Sequence, residues 1–135
     1  MFTVVDTGMS PSKSPVNGTV RAGNMVMMAQ VPRDPATGEM ITGDMRTQTR
    51  RLLSNFKQCV EAAGGSLRDI ALITIYVVDG ADVAEMNEVY AETFEKPYPC
   101  RATVVVKDLL YPGVKVEMVA WATLENAEKS KEIVK

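Results

Sequence analysis

Histidine is absent from all 135 residues, and no other feature of the sequence removes as much chemistry. Its absence excludes histidine general bases, Ser-His-Asp and Cys-His nucleophile systems, and histidine metal ligands together. Cysteine is scarce. Cys59 and Cys100 stand far apart and no Cys-x-x-Cys occurs, so two thiols are left that cannot close a structural zinc site. Each is expected to be a buried free thiol, which suits a reducing compartment. Concentrated positive charge is lacking too: the formal charge is −2 and no Lys/Arg cluster stands out before the tail. Neutralising a phosphate backbone needs such a cluster, so nucleic acid is not expected as a main partner. No apolar run approaches the length of a membrane span, and Met1–Ser14 lacks a basic start followed by an apolar core. No membrane partner and a cytoplasmic address are therefore expected.

The composition that remains is that of an ordinary globular chain, with 46% hydrophobic and 24% charged residues. The length fits one domain, 1–135, large enough to fold on its own core without disulfides or metal. Nine methionines are many for this length; as adaptable side chains they are expected to fill core gaps or subunit contacts.

Along the chain, Phe2–Val5 reads as a short strand. A Ser/Asn-rich loop punctuated by Gly8, Pro11, Pro15 and Gly18 follows, long enough to suggest a binding or interface role. Thr19–Val31 reads as strand broken by the hairpin signal Gly23-Asn24, and Asp34-Pro35-Ala36-Thr37-Gly38 as a turn. Asp44 is placed to cap a helix in which Met45, Thr49, Leu52, Leu53, Phe56, Val60 and Ala63 share one face, stopped by Gly64-Gly65. Ile70–Val78 is a nearly continuous apolar, β-branched run that suggests a strand covered on both faces. Asp82-x-x-Glu85 has the form of a capping box opening a second helix, with Val83, Met86, Tyr90 and Phe94 inward and Pro97 and Pro99 ending it. Arg101–Lys107 and Val114–Thr123 read as a strand pair joined around Tyr111-Pro112-Gly113. The tail from Glu125 to Lys135 reads as a solvated helix or frayed end. The order β-β-α-β-α-β-β is that of an α+β fold, a mixed sheet with two helices on one face. The uncovered face must be buried somewhere, and oligomerisation is the simplest answer.

Chemistry concentrates in the last two strands. Alternation puts Arg101, Thr103 and Val105 on one face of their strand and Lys115, Glu117, Val119 and Trp121 on one face of the next. A hairpin register with Thr103 opposite Glu117 would make Arg101 and Glu117 diagonal neighbours; a one-residue slip would separate them. Arg offers a planar fork that matches a ligand carboxylate, and Glu can activate a water if its site raises its pKa. An ordinary cross-strand ion pair is the alternative reading of the same spacing.

Pro99-Cys100-Arg101-Ala102-Thr103-Val104 resembles the Pro-x-Arg-Ser/Ala-Thr/Cys-Val signature of the RidA (YjgF) family. Val116-Glu117-Met118-Val119-Ala120 resembles its closing Val-Glu-Ile-Glu-Ala segment. Gly23-Asn24, Pro32-x-Asp34-Pro35-x-Thr37-Gly38, Gln48-Thr49 and Met86-Asn87-Glu88-Val89-Tyr90 match the family in the same order, so the resemblance spans nearly the whole chain. It implies a chorismate-mutase-like fold, a homotrimer with sheets packed inward, and ligand clefts between subunits. It implies hydrolysis of reactive enamines and imines such as 2-aminoacrylate to a 2-oxo acid and ammonia, without metal or organic cofactor. By the same resemblance Arg101 would clamp the substrate carboxylate, Glu117 would position the attacking water and shuttle its proton, and Thr103 would contact the substrate. Asn87 would support them from behind, a plain helix-surface role being the alternative.

Two places depart from the family pattern. Its loop sequence Gly-Pro-Tyr-Ser-Gln is here Ser14-Pro15-Val16-Asn17-Gly18, so Val16 stands where a phenol is usual. Its Ser-Gly-Gln is here Met28-Ala29-Gln30, without the seryl hydroxyl. With Val16, Met28 and Ala29 lining it, the site is expected to be more apolar and to take a larger substrate, or to bind small carboxylates such as 2-oxo acids without turnover in a regulatory role.

Overall fold

The computed structural model describes residues 1–124, so the expectation for the tail from Glu125 onward lies outside the described residues. The described residues form six strands and two α-helices, β1 (Thr3–Val4), β2 (Thr19–Ala22), β3 (Met25–Gln30), α1 (Met45–Ala62), β4 (Ile70–Val77), α2 (Val83–Thr93), β5 (Cys100–Val105) and β6 (Val116–Thr123). They make an α+β fold in which one mixed sheet runs in the order β1-β2-β3-β6-β4-β5. The expected broken strand Thr19–Val31 is the hairpin β2–β3. Ala22 pairs with Met25 across Gly23-Asn24, and Gly23 has φ +59°, the sign a two-residue hairpin turn demands at its first central position.

Helix α1 follows from its sequence. The carboxylate of Asp44 accepts the Thr47 N–H at 2.8 Å, while Gly64 turns the chain with φ +95° just beyond the last turn. Its apolar stripe of Met45, Leu52, Leu53, Phe56 and Val60 is buried against the sheet. Glu85 does something the sequence does not suggest. Asp82 makes no side-chain cap on α2, and the Glu85 carboxylate instead accepts the Arg46 N–H of α1 at 2.8 Å. The expected capping box is thus a clasp between helices, because the first turn of α1 lies beside α2 and offers its unpaired N–H groups there. The pair Arg46–Glu88 reinforces the clasp.

The expected pairing of the last two strands is overturned. β5 lies at the sheet edge parallel to β4, while β6 lies on the other side of β4, antiparallel to it. Two physical reasons are visible. Val116, Met118, Ala120 and Ala122 of β6 are all buried, which suits an interior strand, whereas β5 leaves Cys100, Ala102, Val104 and Val105 exposed, as an edge strand does. The segment between them is also anchored elsewhere. The Gln48 side chain of α1 donates to Gly113 O at 2.9 Å and accepts the Lys115 N–H at 2.7 Å, carrying the chain across β4 before β6 begins.

Both helices cover one face of the sheet. Val26, Met28, Ile73, Ile75, Val77, Val116, Met118, Ala120 and Ala122 point to them, and with Leu52, Phe56, Met86 and Val89 they form the core. The other face carries Met25, Met27, Leu72, Tyr76, Val119 and Trp121 and stays partly open, Trp121 being 43% exposed. Cys59 is buried as expected; Cys100 is exposed, because it opens an edge strand on the uncovered side.

Candidate functional site

Arg101 pairs with Ile73 across the parallel β4–β5 ladder. Ile73 faces the helices, so the Arg101 side chain is directed toward α2 and not onto the open face. Two contacts fix it there. Its Nε donates to Thr103 Oγ1 at 2.9 Å, and its Cζ lies 4.9 Å from the centroid of the Tyr90 ring, a cation–π arrangement. With Nε engaged, the two terminal nitrogens remain for a ligand, and among the described residues no carboxylate forms a salt bridge with Arg101. An open pocket of about 340 Å³ lies before it, lined by Asn87, Tyr90, Ala91, Tyr98, Pro99 and Arg101.

The walls of that pocket follow from helix geometry. Asn87, Tyr90 and Ala91 stand three and four residues apart, hence on one face of α2. Tyr90 packs on Phe94 with centroids 4.7 Å apart and on Tyr98 at 6.5 Å. Asn87 therefore shares a cavity with Arg101, and Thr103 holds the guanidinium directly.

Glu117 is placed elsewhere. It pairs with Tyr76 on the open face of β6, on the opposite side of the sheet from the Arg101 guanidinium, with β4 between the two strands. The expected diagonal neighbours are thus separated within one chain, because the strand pairing assumed for them does not form. Partial burial pushes the Glu117 carboxyl above its ordinary value of 4.5, since an apolar setting disfavours the charged form.

The remaining candidates divide in the same way. Ala29 pairs with Val119 and is exposed on the open face, which makes it a diagonal neighbour of Glu117. Its N–H donates to Gly18 O at 2.9 Å, drawing in the end of the loop that carries Val16, itself 61% exposed. Met28 is different: it points into the core and is only 2% exposed, so it lines neither surface. None of Val16, Met28, Ala29 and Glu117 lines the Arg101 pocket. One half of the candidate site therefore lies under the helices (Arg101, Thr103, Asn87) and the other on the uncovered face (Glu117, Ala29, with the Val16 loop beside them). Sequence reading missed Tyr90 and Tyr98. The helical spacing of Asn87 and Tyr90 was a usable signal for the first; nothing before the fold pointed to the second.

The sequence and the fold have counterparts among known proteins. The family model described as Endoribonuclease L-PSP matches residues 8–124. The chain belongs to the RidA/YjgF family. A RutC family protein of Pyrococcus horikoshii is 42% identical over 127 residues, covering 90% of this chain and 98% of its own. A 2-iminobutanoate/2-iminopropanoate deaminase of Dermatophagoides farinae is 32% identical over 108 residues, covering 78% and 84%. Among solved structures, E. coli TdcF with bound serine superposes with a TM-score of 0.82 at 35% identity, covering 91% of this chain and 98% of that one. Among the described residues of the RidA-family chain, no helix is long and apolar enough to cross a membrane, and no group of three or more His, Cys, Asp or Glu is arranged to hold a metal ion.

Proposed function

We propose that the protein is an enamine/imine deaminase, converting reactive intermediates derived from amino acids to 2-oxo acids and ammonia in clefts between the subunits of a homotrimer. The single observation that carries the reading is the Arg101 guanidinium. It is fixed by Thr103 and Tyr90, has no carboxylate partner among the described residues, and borders a pocket of small-molecule size. A fork held this way is ready for the carboxylate of an amino-acid-derived imine. The bound serine of the E. coli relative and the imine deaminase activity for which the D. farinae relative is named agree in ligand class.

The separation of the two half-sites supports the subunit arrangement. Glu117 reaches a substrate held by Arg101 only if it comes from another copy, and the apolar open face around Tyr76, Val119 and Trp121 supplies a surface for that copy to cover. In the proposed reaction a water adds to the imine carbon while Glu117 takes its proton. With the imine nitrogen already protonated, this gives a neutral carbinolamine. Glu117 returns the proton to its nitrogen, and as the C–N bond breaks and ammonia leaves, the hydroxyl gives up its own proton to the Glu117 carboxylate, leaving the 2-oxo acid. Each step needs orientation and one proton carrier, a role that the upward push of burial on the Glu117 carboxyl favours.

The test is ammonia release from imines generated in situ by an amino-acid oxidase. Arg101→Ala is expected to abolish the enhancement over the uncatalysed rate while the variant keeps the mass of a trimer. Equal release by variant and parent sinks the proposal. A second reading, a non-catalytic trimeric binder of 2-oxo acids with a regulatory role, draws on one observation: within a chain the pocket holds the carboxylate-gripping group but no general base. It predicts saturable 2-oxo acid binding that requires Arg101 and no turnover of any imine. The ribonuclease activity in the family's description finds little support here, in a chain of charge −2 without histidine; RNA cleavage that survives stringent purification and is lost in Glu117→Gln would reverse that judgement.

A further inference from the structure

The Tyr90 hydroxyl is buried and makes no hydrogen bond among the described residues, in a residue only 5% exposed. Two threonine hydroxyls of the helices are satisfied one turn back, Thr49 on Met45 O at 2.7 Å and Thr93 on Val89 O at 2.9 Å. A phenol projects too far from its own helix for that. Withdrawing a polar group from water without a partner disfavours folding, whereas phenylalanine would fill the same space with no such loss. Tyr90 nevertheless stands where its ring meets the Arg101 guanidinium and lines the same pocket. Arg101 presents only its terminal nitrogens, since Nε is held by Thr103. A carboxylate received on that end keeps free lone pairs for a further donor.

We infer that Tyr90 is a ligand-binding residue whose hydroxyl donates a hydrogen bond to the polar head of the carboxylate-bearing molecule that Arg101 grips. The inference rests on the reading of this pocket as a carboxylate site. It gives the buried hydroxyl a partner that arrives only with the ligand, and it makes the empty site less stable at this position than a phenylalanine would. Binding and stability should therefore respond to one substitution in opposite directions.

The experiment is calorimetric titration of the full chain with 2-oxobutanoate, on the parent, Tyr90→Phe and Arg101→Ala, beside ligand-free thermal unfolding of each. Tyr90→Phe is expected to raise Kd about tenfold or more, with a thermal midpoint equal to or above that of the parent. Unchanged affinity in Tyr90→Phe, while Arg101→Ala abolishes binding, overturns the inference and leaves the carboxylate reading standing. A lowered ligand-free midpoint in Tyr90→Phe also overturns it, since the hydroxyl then already has a partner within the protein. Absence of saturable binding in the parent, or binding indifferent to Arg101→Ala, removes the carboxylate reading and this inference with it.

Discussion

The two faces of the sheet are built from alternate residues of the same strands and have opposite characters. Under the helices, side chains are buried in one continuous core, and the Arg101 pocket at its border is held by contacts within one chain. On the other face Glu117, Tyr76, Val119 and Trp121 are only partly covered, and among the described residues the carboxylate that the proposed chemistry needs forms no salt bridge. A single strand serves both ends: in β6, Met118 supports the core while Glu117, one residue earlier, faces away. In the proposed reading, the fold prepares the gripping half-site within one chain and leaves the reacting half-site to be completed by a second.

The largest expected effect tests the open face. Removing a general base typically costs about 10²–10⁴ in rate, so Glu117→Gln should lower kcat by that order in imine hydrolysis while 2-oxo acid affinity, read by titration, stays near that of the parent. Loss of both would mean that Glu117 belongs to the gripping half. Next in size is a contrast along β6. Met118 is fully buried and Trp121 is 43% exposed. Met118→Ala should destabilise by about 2–5 kcal/mol in urea unfolding, whereas Trp121→Glu should leave far-UV circular dichroism intact and shift the sedimenting species toward a single chain. A Trp121→Glu variant that still sediments as the parent would show that no copy covers this face.

A smaller effect is expected in the pH dependence of stability. The folded carboxyl of Glu117 titrates above 4.5, its ordinary and unfolded value. As pH rises through that window the unfolded chain releases its proton first, so the parent loses stability there. Glu117→Gln should match the parent below pH 4.5 and be the more stable protein at neutral pH. A parent whose stability rises relative to the variant over the same range would contradict the burial assigned to this carboxyl. The smallest effect concerns the exposed clasp between helices. Glu88→Gln removes the partner of Arg46 and should cost under about 1 kcal/mol, diminishing further in high salt. A larger loss would make the clasp part of what positions α2, and hence Asn87 and Tyr90.

Local features were the most legible. Asp44, the stripe from Met45 to Val60 and Gly64 specify α1 through short-range capping and a helical period, and Gly23-Asn24 marks its hairpin, because these signals act within a few residues. Glu85 shows where such reasoning stops. Its spacing from Asp82 is that of a capping box, yet a neighbouring helix offered its carboxylate a better donor, which no local pattern records. The aromatic wall of the pocket was hidden for a related reason: Tyr90 reads as one more inward residue of an amphipathic helix until Arg101 is seen against its ring.

By itself the sequence determined the α+β class, the positions of both helices and the family membership through its ordered motifs, and it marked Arg101 and Glu117 as the candidates for the chemistry. Strand order was decided only by the tertiary structure, since alternation tells which residues share a face of one strand but not which strand lies beside it. β4 intervenes between β5 and β6 because three-dimensional packing places the buried β6 inside the sheet and leaves β5 at the edge. That one choice sends Arg101 and Glu117 to opposite faces.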